Sequence, residues 1–217
     1  MTDFAAARKQ MVDSQLLPNK VTDARLVEAM GAVPREAFLP QSLRGVAYMD
    51  EDLPVAPGRY VIAPMVFARL VQAAAIRDTD TVLDLGCSSG YSAAVLARLA
   101  GVVVAVEEDA GLAAQASANL AANGAENAAV TTAPLNAGYP AQAPYDAIVI
   151  EGAVEDVPVP LLDQLAEGGR LVVVLAGRGI GKATLYTRKD GVVGHRQLFD
   201  AGLPLLPGFA REAGFVF

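Results

Sequence analysis

The chain has 217 residues, of which 53% are hydrophobic and 19% are charged. This length suits one domain of ordinary size, and this composition excludes an intrinsically disordered chain. Lys and Arg number 17 against 24 Asp and Glu, so the net charge is −7. Because nucleic acid is bound by basic surfaces, a nucleic-acid partner is not expected.

The cysteine count and the distribution of charge indicate the compartment. Cys87 is the single cysteine, so the chain forms no intramolecular disulfide and no zinc site built from several thiolates. The first 15 residues carry charges throughout and do not resemble a secretory signal, and no apolar stretch is long enough to cross a bilayer. The acidic residues 50–52 are predicted to be a solvated loop rather than a metal site. We therefore expect a cytoplasmic protein with no membrane partner and no metal.

The N-terminal third is predicted to be helical and irregular, without strands. The predicted elements are a helix over residues 4–15, a helix over 23–30 with Thr22 as its N-cap, and an apolar helix that Pro64 opens and that reaches about residue 75. Between the second and third helices, residues 48–59 have the Pro, Gly and Asp content of a loop. We expect this loop to be a lid or a substrate wall.

From residue 79 onward, short apolar runs alternate with helical segments. The predicted strands cover residues 81–85, 101–106, 128–132, 147–150 and 170–175, and the helices between them cover 92–99, 109–122 and 159–165. Continuous apolar runs are typical of strands buried on both faces of a parallel sheet. The fold class predicted is a doubly wound, mostly parallel α/β sheet.

The end of the chain predicts additional strands over residues 183–187, 192–199 and 214–217. Lys189-Asp190-Gly191 is typical of a hairpin turn, so these strands are expected to be antiparallel additions at the sheet edge. We divide the chain into an N-terminal helical and substrate-side segment, 1–77, and a cofactor-binding core, 78–217, within one compact unit.

Residues 82–91 carry the densest functional signal, an apolar strand that runs into a small-residue turn. Gly86 and Gly90 lack Cβ atoms, so a ligand can approach the backbone at the carboxyl end of the first core strand. Glu107 ends the next strand 21 residues after Gly86, a spacing at which its carboxylate can accept hydrogen bonds from both hydroxyls of a ribose. The alternative is a tight turn that binds nothing.

The acidic Asp84 favours one kind of nucleoside. Sites for NAD prefer the pattern G-x-G-x-x-G and bind a pyrophosphate, which Asp84 would repel. A cofactor that carries an ammonium group instead of phosphates would be attracted. The sequence therefore indicates S-adenosylmethionine.

At this point the sequence resembles the class I S-adenosylmethionine-dependent methyltransferases, and more narrowly the protein-L-isoaspartate O-methyltransferase family. The resemblance spans nearly the whole chain. Its carriers are Met11-Val12 with Gln15, Val33-Pro34-Arg35-Glu36-Ala37-Phe38-Leu39-Pro40, Ala47-Tyr48-Met49-Asp50, Ala63-Pro64, residues 82–91, Val106-Glu107, Pro144-Tyr145-Asp146 and residues 165–169. It implies a Rossmann-like sheet of seven strands and methyl transfer to isoaspartyl carboxylates of damaged proteins.

The resemblance also completes the set of candidate site residues. For S-adenosylmethionine they are Ile62, Asp84, Gly86, Cys87, Ser88, Gly90, Tyr91, Glu107, Glu108 and Leu135. Asp50, in the substrate-side loop, is the candidate catalytic residue. The implied partner is an isoaspartyl protein or peptide, or a small-molecule acceptor.

This chain departs from the family pattern around the same site. Tyr60-Val61-Ile62 stands where the family typically has Thr-Ile-Ser, so a hydroxyl is replaced by a branched alkane. Ala133-Pro134-Leu135 replaces Gly-Asp-Gly, Ser88 replaces a glycine, and Glu151-Gly152-Ala153 replaces Thr-Ala-Ala. Two alternatives therefore stay open beside the isoaspartyl hypothesis: a methyltransferase of this fold with another acceptor, and a protein that binds S-adenosylmethionine without catalysis.

Overall fold

The computed structural model describes residues 3–177 and 179–209. Its α-helices are α1 (Phe4–Met11), α2 (Ala24–Ala32), α3 (Pro64–Ala74), α4 (Tyr91–Ala97), α5 (Ala110–Ala122) and α6 (Val159–Leu162). Its strands are β1 (Leu53–Ala56), β2 (Arg59–Val61), β3 (Thr81–Leu85), β4 (Val102–Glu107), β5 (Ala128–Thr132), β6 (Tyr145–Val154), β7 (Leu165–Leu175), β8 (Lys182–Lys189) and β9 (Val192–Asp200).

Within these described residues the core is a seven-stranded sheet in the order β5-β4-β3-β6-β7-β8-β9. Strands β3 to β7 pair in parallel, whereas β8 and β9 pair antiparallel at one edge. The predicted fold class is confirmed. After β3, the chain adds β4 and β5 on one side of β3 and then β6 and β7 on the other side. Such a reversal of strand order opens a crevice at the carboxyl ends of the strands.

Both faces of the sheet are covered, which explains the continuous apolar runs. Successive β3 residues alternate between two hydrophobic clusters: Val82 packs with the N-terminal helices, α3 and α4, and Leu83 packs with α6 and residues 206 and 209. Each face of a strand points to a different layer because side chains alternate with a period of two. Burial on both sides leaves the strand ends as the place where polar side chains gather.

The N-terminal third differs from its prediction in three places. Asp23, not Thr22, caps α2, since its carboxylate accepts from the Arg25 and Leu26 amides and satisfies two free donors of the first turn. The first α-helix ends at Met11 and continues as a π-helical turn, Val12–Leu16. The segment predicted to lack strands contains the antiparallel β1–β2 hairpin.

The second half also shows smaller differences. Helix α6 is one turn long, and Leu165, which was predicted to end it, begins β7. The hairpin predicted at 189–191 is confirmed: Asp190 and Gly191 have φ angles of 52° and 75°, as a two-residue turn of positive φ requires. The strand predicted over residues 214–217 lies outside the described residues. None of the helices in the described part of the chain is long and apolar enough to cross a membrane.

Candidate active site

The glycine turn and Glu107 meet at one edge of the sheet. Leu85 of β3 lies beside Val106 of β4, and the Gly86 amide donates to the Val106 carbonyl at 2.9 Å. The chain then reverses through Gly86 and Ser88, with φ angles of 82° and 55°. Glu107, the last residue of β4, therefore projects over the turn that precedes α4.

The Glu107 carboxylate is fully buried and accepts five hydrogen bonds. Backbone amides of Ser88, Glu108 and Asp109 donate at 2.8, 3.0 and 3.2 Å. The Arg59 guanidinium makes the other two bonds, with Nε 3.1 Å from Oε1 and Nη2 2.5 Å from Oε2. Both side chains are buried, at 5% and 0% exposure. This bidentate, charge-assisted pair occupies the positions at which ribose hydroxyls would donate.

The space above Gly86 is filled by the protein's own side chains. A Cβ built on Gly86 would lie 3.0 Å from Arg59 Nη2 and 3.2 Å from Leu206 Cδ2. The absence of a Cβ at Gly86 therefore accommodates Arg59 and Leu206 in this conformation. The crevice that the sequence predicted has the expected walls, but its centre is closed.

Arg59 stands between two spaces of very different size. Outside it lies an open groove of about 320 Å³, lined by Pro57, Arg59, Glu107, Glu108, Asp109, Leu135 and Pro207. Inside it lies a cavity of about 10 Å³, the room of a single water molecule, lined by Tyr60, Val61, Ile62, Phe67, Gly86, Cys87, Ser88, Tyr91, Ser92 and Glu151. The groove has a volume typical of small-molecule sites, and the cavity does not.

Polar groups beneath and around the inner cavity are short of partners. The Asp84 Oδ2 atom accepts from the Ser92 hydroxyl at 2.7 Å, whereas Asp84 Oδ1, Ser88 Oγ and Glu151 Oε1 are buried without a hydrogen-bond partner among the described residues. Burial raises the pKa of Asp84 to about 7, and it raises the pKa of Glu151 well above its ordinary value. A polar ligand would satisfy these atoms.

The predicted site residues fall into four groups. Ile62, Gly86, Cys87, Ser88 and Tyr91 line the inner cavity. Glu107, Glu108 and Leu135 line the groove, and Asp84 lies buried beneath the turn. Gly90 and Asp50 line neither space.

Gly90 and Tyr91 have structural contacts that explain their residue types. A Cβ on Gly90, which has a φ angle of 95°, would lie 3.2 Å from the Ala116 backbone, so this glycine lets α4 and α5 approach. The Tyr91 ring is buried at 5.7 Å from the Phe38 ring and 4.9 Å from the Arg35 guanidinium. Cys87 is also buried, which raises the pKa of its thiol and disfavours a thiolate nucleophile.

The substrate-side loop is tied to the start of α3. Asp50, which is exposed, accepts from the Met65 amide at 2.9 Å, and Asp52 accepts from the Ala63 amide at 2.8 Å. Both carboxylates satisfy free amides at the helix start. The catalytic role of Asp50 stays a prediction.

Arg35 and Arg59 were missed by the sequence analysis. Arg35 is fully buried and donates to the carbonyls of Ala47 at 2.7 Å and Ile62 at 2.9 Å, so it fixes the path of the chain beside the inner cavity. Arg35 lies inside the string 33–40 that carries part of the resemblance, and Arg59 is the last residue of the predicted loop 48–59. An arginine among apolar residues is the sequence signal for both positions. Such an arginine is buried only when it has a partner, so the signal points to a paired side chain.

The donor set fits S-adenosylmethionine even though the centre is closed. Glu107 offers a carboxylate to a ribose, and the unpartnered Asp84, Ser88 and Glu151 atoms suit the polar amino-acid end. Among the described residues, no three His, Cys, Asp or Glu side chains converge as metal ligands.

Comparisons with known proteins identify the family. The family model for protein-L-isoaspartate(D-aspartate) O-methyltransferase matches residues 6–200. Protein-L-isoaspartate O-methyltransferase 2 of Anaeromyxobacter sp. (strain Fw109-5) is 44% identical over 165 residues, which cover 76% of this chain and 68% of that protein.

Solved structures agree in fold. A protein-L-isoaspartate O-methyltransferase superposes with a TM-score of 0.82 at 26% identity; the match covers 93% of this chain, and this chain spans 66% of the length of that one. A Plasmodium falciparum chain assigned to the same activity, in complex with S-adenosyl-L-homocysteine, has a TM-score of 0.80 at 19% identity and covers 92% of this chain and 97% of its own. The chain belongs to the protein-L-isoaspartate O-methyltransferase family of S-adenosylmethionine-dependent methyltransferases.

Proposed function

We propose that this protein transfers the methyl group of S-adenosylmethionine to the free carboxylate of an isoaspartyl residue in a protein or peptide. Family membership over residues 6–200 supports the reaction class. The observation that carries the proposal is Glu107, whose carboxylate closes the end of β4 directly above the glycine turn. A buried acid at this point is the expected partner of a nucleoside sugar.

Each half of the cofactor has residues suited to hold it. Glu107 would accept the ribose hydroxyls, and the groove beside Glu108 and Leu135 would take the base. Asp84 and Ser88 would orient the amino-acid end through atoms that have no partner among the described residues. The bound cofactor supplies an electrophilic methyl group on a sulfonium.

The chain's contribution to methyl transfer is positioning and exclusion of water. A carboxylate acceptor is already ionised at neutral pH, so the reaction requires no general base. Ile62 and Phe67 line the inner cavity with apolar surface, which keeps water from the reacting groups. Arg35 holds Ile62 in place through the bond to its carbonyl.

A second candidate is the same chemistry with another acceptor. Ile62 offers no hydroxyl to orient a carboxylate, and Glu151 lines the same cavity. An ionised Glu151 would repel an anionic acceptor, whereas a hydroxyl or cationic acceptor would not be repelled. The raised pKa of Glu151 favours its neutral form, so the isoaspartyl acceptor is the better supported of the two.

The test uses radiolabelled S-adenosylmethionine and two peptides that differ only at one residue, isoaspartyl in one and aspartyl in the other. Label is expected on the isoaspartyl peptide alone, in a base-labile ester. If neither peptide is labelled although the protein binds the cofactor, the isoaspartyl proposal is wrong. Label on any other acceptor would then favour the second candidate and exclude a purely binding protein.

A cytoplasmic location belongs to the same proposal, and the single buried thiol of Cys87 supports a reducing compartment.

A further inference from the structure

Arg59 occupies the centre of the crevice as a ligand would. It begins β2, in the two-stranded hairpin outside the main sheet, and its side chain reaches across 48 residues of sequence to Glu107. Its guanidinium touches the position above Gly86 on one side and lines the groove on the other. It therefore divides the space that one cofactor molecule would need to span.

Residues 204–209 cover the same place from above. The Ala153 amide donates to the Pro204 carbonyl at 2.9 Å, and the Leu206 amide donates to the Ala153 carbonyl at 2.8 Å, which lays the segment against the end of β6. Leu206 is 4% exposed, and a Cβ on Gly152 would lie 2.6 Å from its Cγ. The Asn136 side chain donates to the Gly208 carbonyl at 3.0 Å and ties the far end.

Arg59 and a nucleoside compete for the same atoms. The two Glu107 oxygens already accept five hydrogen bonds, three of them from backbone amides: Ser88 of the glycine turn, and Glu108 and Asp109 directly after β4. Two ribose hydroxyls can bind only if the two guanidinium bonds are given up. The inner cavity of about 10 Å³ also has to widen before an amino-acid tail can enter it, and Arg59 and Leu206 are the side chains above Gly86.

The hairpin that carries Arg59 is separate from the main sheet. Strands β1 and β2 pair with each other and with no strand of the seven-stranded sheet, within the described residues. The hairpin turn contains Gly58, which has a φ angle of 68°, and a Cβ built on Gly58 would lie 3.9 Å from Pro207 Cγ of the cover. Movement of Arg59 and of residues 204–209 is therefore expected to be coupled.

We infer that Arg59, covered by residues 204–209, is a displaceable occupant of the cofactor crevice, and that S-adenosylmethionine binds by displacing its guanidinium from Glu107. The inference rests on the proposed cofactor site and adds to it a residue that lowers cofactor affinity. In this conformation Arg59 is the partner of the buried acid, and its guanidinium closes the crevice above Gly86.

The experiment is calorimetric titration of the purified protein with S-adenosyl-L-homocysteine. Arg59→Gln removes the charge and the bidentate reach while keeping a polar side chain, and it is expected to tighten binding about tenfold or more. Arg196→Gln, an exposed arginine on β9, is the matched control and is expected to leave the affinity unchanged. Circular dichroism verifies that each variant is folded.

A second variant tests the cover without touching the ion pair. Leu206→Ala removes the side chain above Gly86 and Gly152 and is also expected to tighten binding. Equal or weaker binding by Arg59→Gln overturns the inference, and so does a failure of the wild type and of both folded variants to bind. If Arg59→Gln binds more tightly but no isoaspartyl peptide is methylated, the inference stands and the proposed function fails. If the isoaspartyl peptide is methylated and Arg59→Gln shows no gain in affinity, the proposed function stands and the inference about Arg59 fails.

Discussion

Glu107 has a structural role and a proposed role in cofactor binding. Its carboxylate accepts from the Ser88 amide of the glycine turn and from the Glu108 and Asp109 amides directly after β4, and it neutralises the buried Arg59. Removing one partner of a buried ion pair leaves an uncompensated charge, which costs far more than the pair contributes on its own. Substitution of Glu107 removes both the proposed ribose acceptor and the anchor of its competitor, so Arg59 is the more informative position for binding.

Glu107→Ala is expected to lower the free energy of unfolding by about 3–5 kcal/mol, because Arg59 and three backbone amides lose their acceptor inside the protein. Urea denaturation measures the change. The matched control is Glu108→Ala, since Glu108 is the exposed neighbour, and its effect is expected to stay below about 0.5 kcal/mol. Similar losses in the two variants would contradict the structural role of Glu107.

At the scale of single residues, the sequence identified Glu107 and Gly86 but not Arg59, the side chain that contacts both. Gly86 and Glu107 are found by spacing, because consecutive parallel strands end at the same sheet edge. The Arg59–Glu107 pair has no such signature. A side chain in a short hairpin reaches a strand 48 residues away only because the tertiary fold brings them together.

Among the elements, α3 shows how the substrate-side loop is fixed. The helix starts at Pro64, and the carboxylates of Asp50 and Asp52 satisfy the amides of Met65 and Ala63. These bonds connect the loop to the start of α3, directly after Ile62, which lines the inner cavity. A purely structural role for Asp50 and a catalytic role predict different results.

Asp50→Ala is expected to lower the free energy of unfolding by about 0.5–2 kcal/mol, because the Met65 amide loses its acceptor. Asp50→Asn keeps an acceptor oxygen and is expected to retain most of this stability. Urea denaturation compares the two variants, and the methyl-transfer assay is run on both. If Asp50→Asn is as stable as the wild type but inactive, the charge itself is required and the catalytic prediction is supported; full activity of Asp50→Asn contradicts it.

The elements that were mispredicted are short and depend on their surroundings. The β1–β2 hairpin contains Pro54, Pro57 and Gly58 and has only a few residues in each strand, so its composition resembles a loop. Asp23 and Thr22 are both good helix caps, so the local sequence does not decide between two neighbouring residues. The long apolar strands were predictable because their burial does not depend on such details.

Over the whole molecule, buried charges converge at the crevice from distant parts of the chain. Asp84, Glu107 and Glu151 come from strands β3, β4 and β6 of the sheet, and Arg35 and Arg59 come from the N-terminal third. The three acids exceed the two guanidinium groups by one. Burial raises the pKa of Asp84 to about 7, and it raises the pKa of Glu151 well above its ordinary value.

This cluster predicts that stability falls as pH rises. An acid whose pKa is higher in the folded state binds its proton more tightly there, so its contribution is present at low pH. The contribution is lost as pH rises from the unfolded value of about 3.9 through about 7. Between pH 5 and pH 8, Asp84→Asn is expected to lose less unfolding free energy than the wild type, by on the order of 3 kcal/mol. Urea denaturation at both pH values measures the difference; parallel losses would show that Asp84 ionises normally.

The sequence by itself determined the parallel sheet, the glycine turn and the acid at the end of the neighbouring strand. These features follow from local periodicity and from the fixed geometry of parallel strands, in which every carboxyl end lies at one edge. Only the tertiary structure decided that Arg59 and Leu206 fill the crevice and that Arg35 fixes its wall. Such contacts join residues from separate layers, and their energies depend on burial that exists only after the layers have packed.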